Sequence, residues 1–283
     1  MFIDGKQIVE VLKRELRADV AALGQALNLV IIQVGDDPVS TRYVRMKQRF
    51  GESIGVAVSL EHYSRSSAAG ELVQAIARDR TSDFDFSGVI VQLPILATVD
   101  TEQVLNTIPL EQDVDMLSEA ARAAYEDETS LILPPVVAAI DHVFALHEIE
   151  LTGKRVAVVG YGRLVGKPVA TWLERARADV TILTQADPLE DTLRTADVVI
   201  SGVGVGNLIQ PDMIKEGVVL VDVGTSNEGG ELRGDIDLRC APKASLFSSV
   251  PGGIGPVTMA MLFKNLLELA KQHQLHNSIE SLY

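Results

Sequence analysis

The sequence predicts an α/β protein of two domains, an N-terminal series of βα units followed by a Rossmann-like series, with a cleft between them. Three observations predict this. Apolar residues recur at helical spacing in some stretches and form short β-branched runs in others. The two patterns alternate almost throughout, which implies mostly parallel sheet covered by helices on both faces. A glycine-rich turn, Gly160–Gly166, follows one apolar run and opens a helical pattern.

Ile8, Leu12, Leu16, Val20 and Leu23 give the first amphipathic helix. Leu29–Val34 reads as a buried strand, ended by the turn residues Gly35-Asp36-Asp37-Pro38. Ser40 is placed to cap the next helix, which carries Tyr43, Lys47, Phe50 and Ile54. Val56–Tyr63 is the second strand, Ala68–Arg78 the next helix, and Gly88–Gln92 the third strand, which Pro94 ends. Ile140–Leu146 belongs to a connecting helix. The second series opens with the strand Arg155–Gly160. After the glycine turn, Pro168 falls in the first turn of a helix, where its missing N–H is harmless. Val180–Leu183, Val198–Gly202 and Val218–Val223 are further strands. A C-terminal helix carrying Met261, Leu262, Leu266, Leu267 and Leu269 is expected to pack back on the first domain.

Of the 283 residues, 47% are hydrophobic and 23% charged, which leaves enough apolar mass for two cores. Acidic residues outnumber basic ones 39 to 25; the net charge of −14 repels phosphate backbones and argues against a nucleic-acid partner. The apolar runs, such as Val156–Val159 and Val218–Val221, are too short to cross a bilayer. Cys240 is the sole cysteine, and Met1–Lys6 carries Asp4 and no apolar stretch of a secretory signal, so a cytoplasmic location is expected. His62, His142, His147, His273 and His276 show no ligand-pair spacing, and no metal is expected.

Parallel sheets of this kind bind ligands at the carboxyl ends of their strands. Gly160-x-Gly162-x-x-x-Gly166 sits at such an end. Its glycines let the backbone approach a pyrophosphate, and the helix that follows supplies free N–H groups. The spacing is one residue longer than the common dinucleotide fingerprint, and a strand-to-helix turn without ligand is the alternative reading. The following strand ends Leu183-Thr184-Gln185, without the acid that an NAD enzyme usually places there. Asp187 lies slightly too far along the chain, and Arg163 is a cation that either faces a 2′-phosphate or is solvated, so the balance tilts to NADP.

Ser40, Tyr43 and Lys47 fall at i, i+3 and i+7, on one helix face. Burial there would bring the lysine pKa into working range. The competing reading is a surface lysine lying over Tyr43, and spacing alone favours it. Gln92 ends an apolar strand, where a buried amide either finds partners or caps a loop. Asp113 and Asp115 flank Val114 and, if extended, point to one side; a turn or cap role suits Asp113 better than Asp115.

Taken together, S-x-x-Y-V-x-x-K (Ser40–Lys47), V-Q-L-P (Val91–Pro94) and D-V-D (Asp113–Asp115) resemble the bifunctional methylenetetrahydrofolate dehydrogenase/methenyltetrahydrofolate cyclohydrolase family. Ile3-Asp4-Gly5-Lys6, Val165-Gly166-Lys167-Pro168, Val221–Gly224, Gly234-Asp235-Ile236-Asp237 and Val250–Thr258 extend the resemblance over nearly the whole chain. It implies oxidation of 5,10-methylenetetrahydrofolate with NADP (or NAD) and hydrolysis of the methenyl product to 10-formyltetrahydrofolate. It also implies tetrahydrofolate derivatives as ligands, a homodimer, and no membrane partner.

By resemblance, Lys47 is the proton-transferring residue, Tyr43 stacks on the folate, Gln92 tunes the lysine and Asp115 anchors the pterin. Ser40, Val91, Leu93, Pro251, Gly252 and Gly253 complete the folate-binding set. Gly160, Tyr161, Gly162, Arg163, Leu164, Val165, Thr184, Gly202, Val203, Gly224, Thr225, Gly255 and Thr258 form the cofactor-binding set. Residues 1–138, completed by the C-terminal helix 257–283, make the βα catalytic domain, and residues 139–256 the Rossmann-like nucleotide-binding domain.

The chain departs from the family pattern at several positions. Where G-R-S-x-I-V-G-x-P is usual, Tyr161 and Gly162 replace an arginine and a serine that commonly help bind cofactor phosphates. Thr184-Gln185 stands for His-Ser, Leu96 for the second proline of Q-L-P-L-P, and Pro134–Ala139 for P-C-T-P-x-G. Gln112 and Met116 replace the lysine and glycine of K-D-V-D-G; Met116 is expected to reshape the pterin pocket or force a different backbone. An altered cofactor turn beside intact Lys47, Gln92 and Asp115 raises an alternative, a cyclohydrolase with weak or absent dehydrogenase activity.

Overall fold

The computed structural model describes residues 1–78, 84–95, 99–184, 186–228 and 231–280. Leu96 and Gln185, singled out above, lie outside the described residues. The chain divides into two compact units, one of Val11–Leu133 with Leu262–Tyr283, the other of Met1–Glu10 with Pro134–Met261. Among the described residues no helix is long and apolar enough to cross a membrane.

The first unit holds most of α1 (Gly5–Leu23), then β1 (Leu27–Val34), α2 (Pro38–Ile54), β2 (Ala57–Tyr63), α3 (Ala69–Ile76), β3 (Phe86–Val91), α4 (Thr101–Leu105) and α5 (Glu119–Glu126). Its sheet has the order β2-β1-β3, with both pairings parallel. Central β1 is buried at every position, which is why its sequence is a continuous apolar run and not an alternation. Two polar residues interrupt that run, and each finds a partner. Asn28 Oδ1 accepts from Ser59 Oγ at 3.0 Å, and Gln33 Nε2 donates to Gly35 O and Thr41 Oγ1, both at 3.0 Å.

Helix α2 is capped by Asp37, whose carboxylate accepts the Ser40 N–H at 2.7 Å, with Pro38 at the first helical position. Ser40 is therefore the third residue of the helix and not its cap, a correction to the sequence expectation. The reason is geometric: only the residue preceding Pro38 projects a carboxylate at the N–H two positions inside the helix. α2 ends at Gly55 in the left-handed conformation, φ 86°.

The other unit contains α6 (Pro135–Leu146), β4 (Arg155–Val159), α7 (Gly166–Arg175), β5 (Asp179–Leu183), α8 (Leu189–Leu193), β6 (Val198–Ser201), β7 (Val218–Asp222), β8 (Ser226–Glu228), β9 (Glu231–Arg233) and β10 (Ala244–Ser248). The first residues of α9 (Ile254–Glu280) also belong to it. Its main sheet runs β10-β7-β6-β4-β5, all parallel, and β8 and β9 form an antiparallel hairpin. From β4 the chain goes to β5 on one side and to β6 on the other. Such a reversal of strand order opens a crevice beyond the carboxyl ends of the strands.

Residues 1–10 group with this second unit, whereas the sequence reading placed them with the first. Main-chain bonds explain the grouping: Ile3 N donates to Phe247 O at 2.9 Å, Phe247 N to Met1 O at 2.8 Å, and Gly5 N to Gly252 O at 2.9 Å. Phe2 stacks on Phe247 with centroids 5.5 Å apart. β10 itself was not anticipated, because serines interrupt its apolar run. One of them, Ser248, is buried and its Oγ accepts the N–H of Ile254 at the start of α9.

Candidate active site

The first unit brings together Lys47, Gln92 and Asp115 from three different segments. Lys47 projects from the third turn of α2, and Gln92 follows β3 directly. Gln92 N donates to Ile32 O of β1 at 2.8 Å, which extends the ladder one residue past the strand. Lys47 Nζ donates to Gln92 Oε1 at 2.8 Å. The other end of the amide, Nε2, donates to Leu93 O at 2.9 Å, so its orientation is set with the oxygen toward the lysine. A bond to a charged donor of this kind is worth about 1.5–3 kcal/mol.

Desolvation lowers the Lys47 pKa below the ordinary lysine value, and the Asp115 carboxylate opposes this only in part. Burial raises Asp115 to about 6, against the pull of Lys47 and with a further push from Asp113. The lysine and Asp115 thus influence each other without forming an ion pair within 4.0 Å. Asp113 is fully buried and serves the turn: its carboxylate accepts Leu117 N at 3.2 Å and Ser118 N at 2.8 Å. Two residues after this anchored carboxylate, Asp115 is left as the aspartate of the pair that no donor among the described residues engages.

Met116 is buried and has φ 56°. It takes the left-handed backbone that glycine adopts freely, at about 1–2 kcal/mol of strain. Asn265 on α9, which sequence reasoning missed, holds the same segment: its Nδ2 donates to Val114 O at 3.0 Å and Leu133 O at 2.8 Å. The available signal was one amide on an otherwise apolar helix stripe. Phe263 reinforces the packing against Phe50 of α2, with centroids 5.0 Å apart.

Other expected folate residues sit as follows. Tyr43 is half-buried on the Lys47 face of α2. Ser40 is buried, and its N–H donates to the Asp37 carboxylate. The Val91 side chain belongs to the apolar core of this unit, and the partly buried Leu93 packs against it. Pro251, Gly252 and Gly253 lie in the second unit, where a Cβ at Gly5 would overlap the Gly253 carbonyl.

In the second unit an open pocket of about 440 Å³ lies at the ends of β4, β5 and β6, lined by Gly160, Tyr161, Gly162, Thr184, Ala186, Gly202 and Val203. Six of these were expected from the sequence; Ala186 was not. Arg163, Leu164, Val165, Gly224, Thr225, Gly255 and Thr258 are not among the lining residues. Val165 packs on Gly202, and Thr258 Oγ1 donates to Ile254 O within its own helix. The turn is built for close approach: a Cβ at Gly166 would overlap the Gly160 carbonyl oxygen, while Gly162 faces open space. Gly160 has φ 97°. This cradle beneath the first turn of α7 fits the phosphates of a dinucleotide.

Asp235, noted only as part of a motif, anchors the pocket wall. Its carboxylate accepts Ser201 Oγ at 2.7 Å, Val203 N at 2.7 Å, Gly204 N at 2.9 Å and Val205 N at 2.8 Å.

Two family models match the chain: tetrahydrofolate dehydrogenase/cyclohydrolase, catalytic domain, over residues 3–115, and the NAD(P)-binding domain of the same family over residues 134–274. The chain belongs to the tetrahydrofolate dehydrogenase/cyclohydrolase family. Among relatives of this family, the bifunctional protein FolD 2 of Lactobacillus johnsonii is 35% identical over 277 residues, covering 96% of this chain and 98% of its own. The crystal structure of the bifunctional FolD methylenetetrahydrofolate dehydrogenase/cyclohydrolase from Campylobacter jejuni is 31% identical with a TM-score of 0.90, covering 96% of this chain and 99% of that one. The Trypanosoma brucei enzyme, complexed with NADP cofactor and inhibitor, is 30% identical with a TM-score of 0.90, covering 96% and 97%.

Proposed function

We propose that this chain oxidises 5,10-methylenetetrahydrofolate to the 5,10-methenyl form with a nicotinamide dinucleotide and hydrolyses that product to 10-formyltetrahydrofolate. Membership of the family supports both activities. The observation that carries the hydrolytic half is the 2.8 Å bond from Lys47 Nζ to Gln92 Oε1, in surroundings that depress the lysine pKa. An amine so placed gives up its own proton more readily than an ordinary lysine and, when neutral, takes the proton of the water that attacks the methenyl carbon. Gln92 holds the amine in place through an amide locked by Leu93 O. Asp115, engaged by no donor among the described residues and raised to about 6, is ionised at neutral pH and accepts N–H groups from the edge of the pterin. Tyr43 offers a ring face on the same side of α2.

When bound, the dinucleotide supplies the acceptor for the hydrogen lost from the methylene carbon; the folate nitrogens drive that loss, so no strong protein base is needed. The chain's contribution is to hold the phosphates at the glycine turn, where Gly160 and Gly166 retain the close approach despite Tyr161 and Gly162. The reading includes a homodimer in the cytoplasm that supplies formyl units to purine biosynthesis, which rests on the family resemblance. Lys47→Ala is expected to slow methenyltetrahydrofolate hydrolysis by about 10²–10⁴-fold, the usual worth of a proton-transfer group. Hydrolysis at the wild-type rate would refute the assignment.

A further inference from the structure

Counted along the sequence, Asp187 lies four residues beyond Leu183, the end of the β5 strand that would read a ribose. In the fold the loop turns back. Asp187 Oδ2 accepts Thr184 N at 2.7 Å and Thr184 Oγ1 at 2.7 Å, which returns the carboxylate to the end of the strand. Those two bonds hold its pKa below the usual carboxylate range. Thr184 and Ala186, on either side of this turn, both line the pocket.

β4-α7-β5 is the first βαβ unit of the nucleotide sheet. In such units the end of the second strand meets the adenosine ribose, and an acid there accepts hydrogen bonds from its hydroxyls. A 2′-phosphate at that place would set up to two negative charges against a fixed one, and like charges brought together cost affinity. Among the described residues, none that lines the pocket is a cation. Neither Arg163, the half-buried cation the sequence offers for a 2′-phosphate, nor Asp187 is itself among the lining residues, but Asp187 is bonded directly to one of them, Thr184. Lys167 is exposed with its ammonium 5.6 Å from the Tyr161 ring centroid, but it sits in the first turn of α7. That helix end serves the pyrophosphate, which NAD and NADP share.

We propose that Asp187 is the specificity-determining residue of the dinucleotide site and that it selects NAD over NADP. The inference rests on the dehydrogenase reading above, and binding separates the two. Isothermal titration calorimetry of the full chain with NAD and with NADP, beside initial rates with each, is the test. Wild type is expected to bind NAD more tightly. Asp187→Asn keeps an acceptor for Thr184 but removes the charge; it is expected to weaken NAD binding and tighten NADP binding, moving their ratio by about 10- to 100-fold, the range for a hydrogen bond to a charged group. A purely structural role would weaken both dinucleotides alike, and that result overturns the inference. Equal or tighter NADP binding by wild type also overturns it. Preferential NAD binding without oxidation of methylenetetrahydrofolate supports the inference and removes the dehydrogenase reading instead. Binding of neither dinucleotide overturns both.

Discussion

Converting Gln92 to glutamate places a full negative charge where an amide oxygen now accepts the Lys47 ammonium at 2.8 Å. At an effective dielectric constant of about 20, two unit charges at that separation attract by about 6 kcal/mol. The amide already favours the charged lysine by about 1.5–3 kcal/mol, so the net gain for the ammonium is about 3–4 kcal/mol. This raises the Lys47 pKa, against the depression that burial imposes. Since the neutral amine takes the proton from water, its population falls by about 100-fold or more, and hydrolysis falls with it. The assay follows loss of methenyltetrahydrofolate absorbance across a pH series, with dinucleotide binding as the check on folding. The expected result is a lower rate at neutral pH and an alkaline midpoint displaced upward. An unchanged profile would refute the argument that a neutral Lys47 is the working form. A faster enzyme would show that the ammonium is the working form.

Asp115 is raised from 3.8 to about 6, so its carboxylate is lost as pH falls through about 6. The KM for the methenyl substrate should rise below that pH, by about tenfold per unit, while Asp115→Asn flattens the profile. The stability linkage has the opposite sign: a raised folded pKa contributes stability that is full below 3.8 and is lost as pH rises through about 6, which urea titrations at several pH values would reveal. Met116→Gly relieves about 1–2 kcal/mol of left-handed strain but empties a buried site worth about 2–5 kcal/mol, so chemical denaturation should show a net loss of about 1–3 kcal/mol. A variant as stable as wild type would mean that the relieved strain fully offsets the lost packing. Asp235→Asn gives up part of the four-donor anchor beneath Val203–Val205; the dinucleotide Kd should rise about 10- to 100-fold with methenyl hydrolysis unchanged. Equal losses in both activities would point to global misfolding instead.

The α/β class, the parallel strands and the glycine turn are legible in the sequence because they are written in local periodicity. β1 must be apolar throughout to be buried on both faces, and Gly160 and Gly166 must lack side chains to pass so close. The i, i+3, i+7 spacing of Ser40, Tyr43 and Lys47 is likewise local, although spacing alone left a surface lysine as the better reading, and the family resemblance supplied its role. What local pattern omits is any bond whose partner lies far along the chain. Lys47 with Gln92, Asn265 with Val114 and Leu133, and Asp235 with Val203–Val205 are separated by 45, 151 and 132, and 30–32 residues, and only the tertiary structure brings them together. The same holds for residues 1–10, whose pairing with β10 no residue count could announce. Asp187 failed for the reverse reason: a turn three residues long brought back to the strand end a carboxylate that counting had carried past it. Periodicity reports which face of an element is buried; burial of a charge, and hence the depressed Lys47 and the raised Asp115, depends on what the rest of the chain places around it.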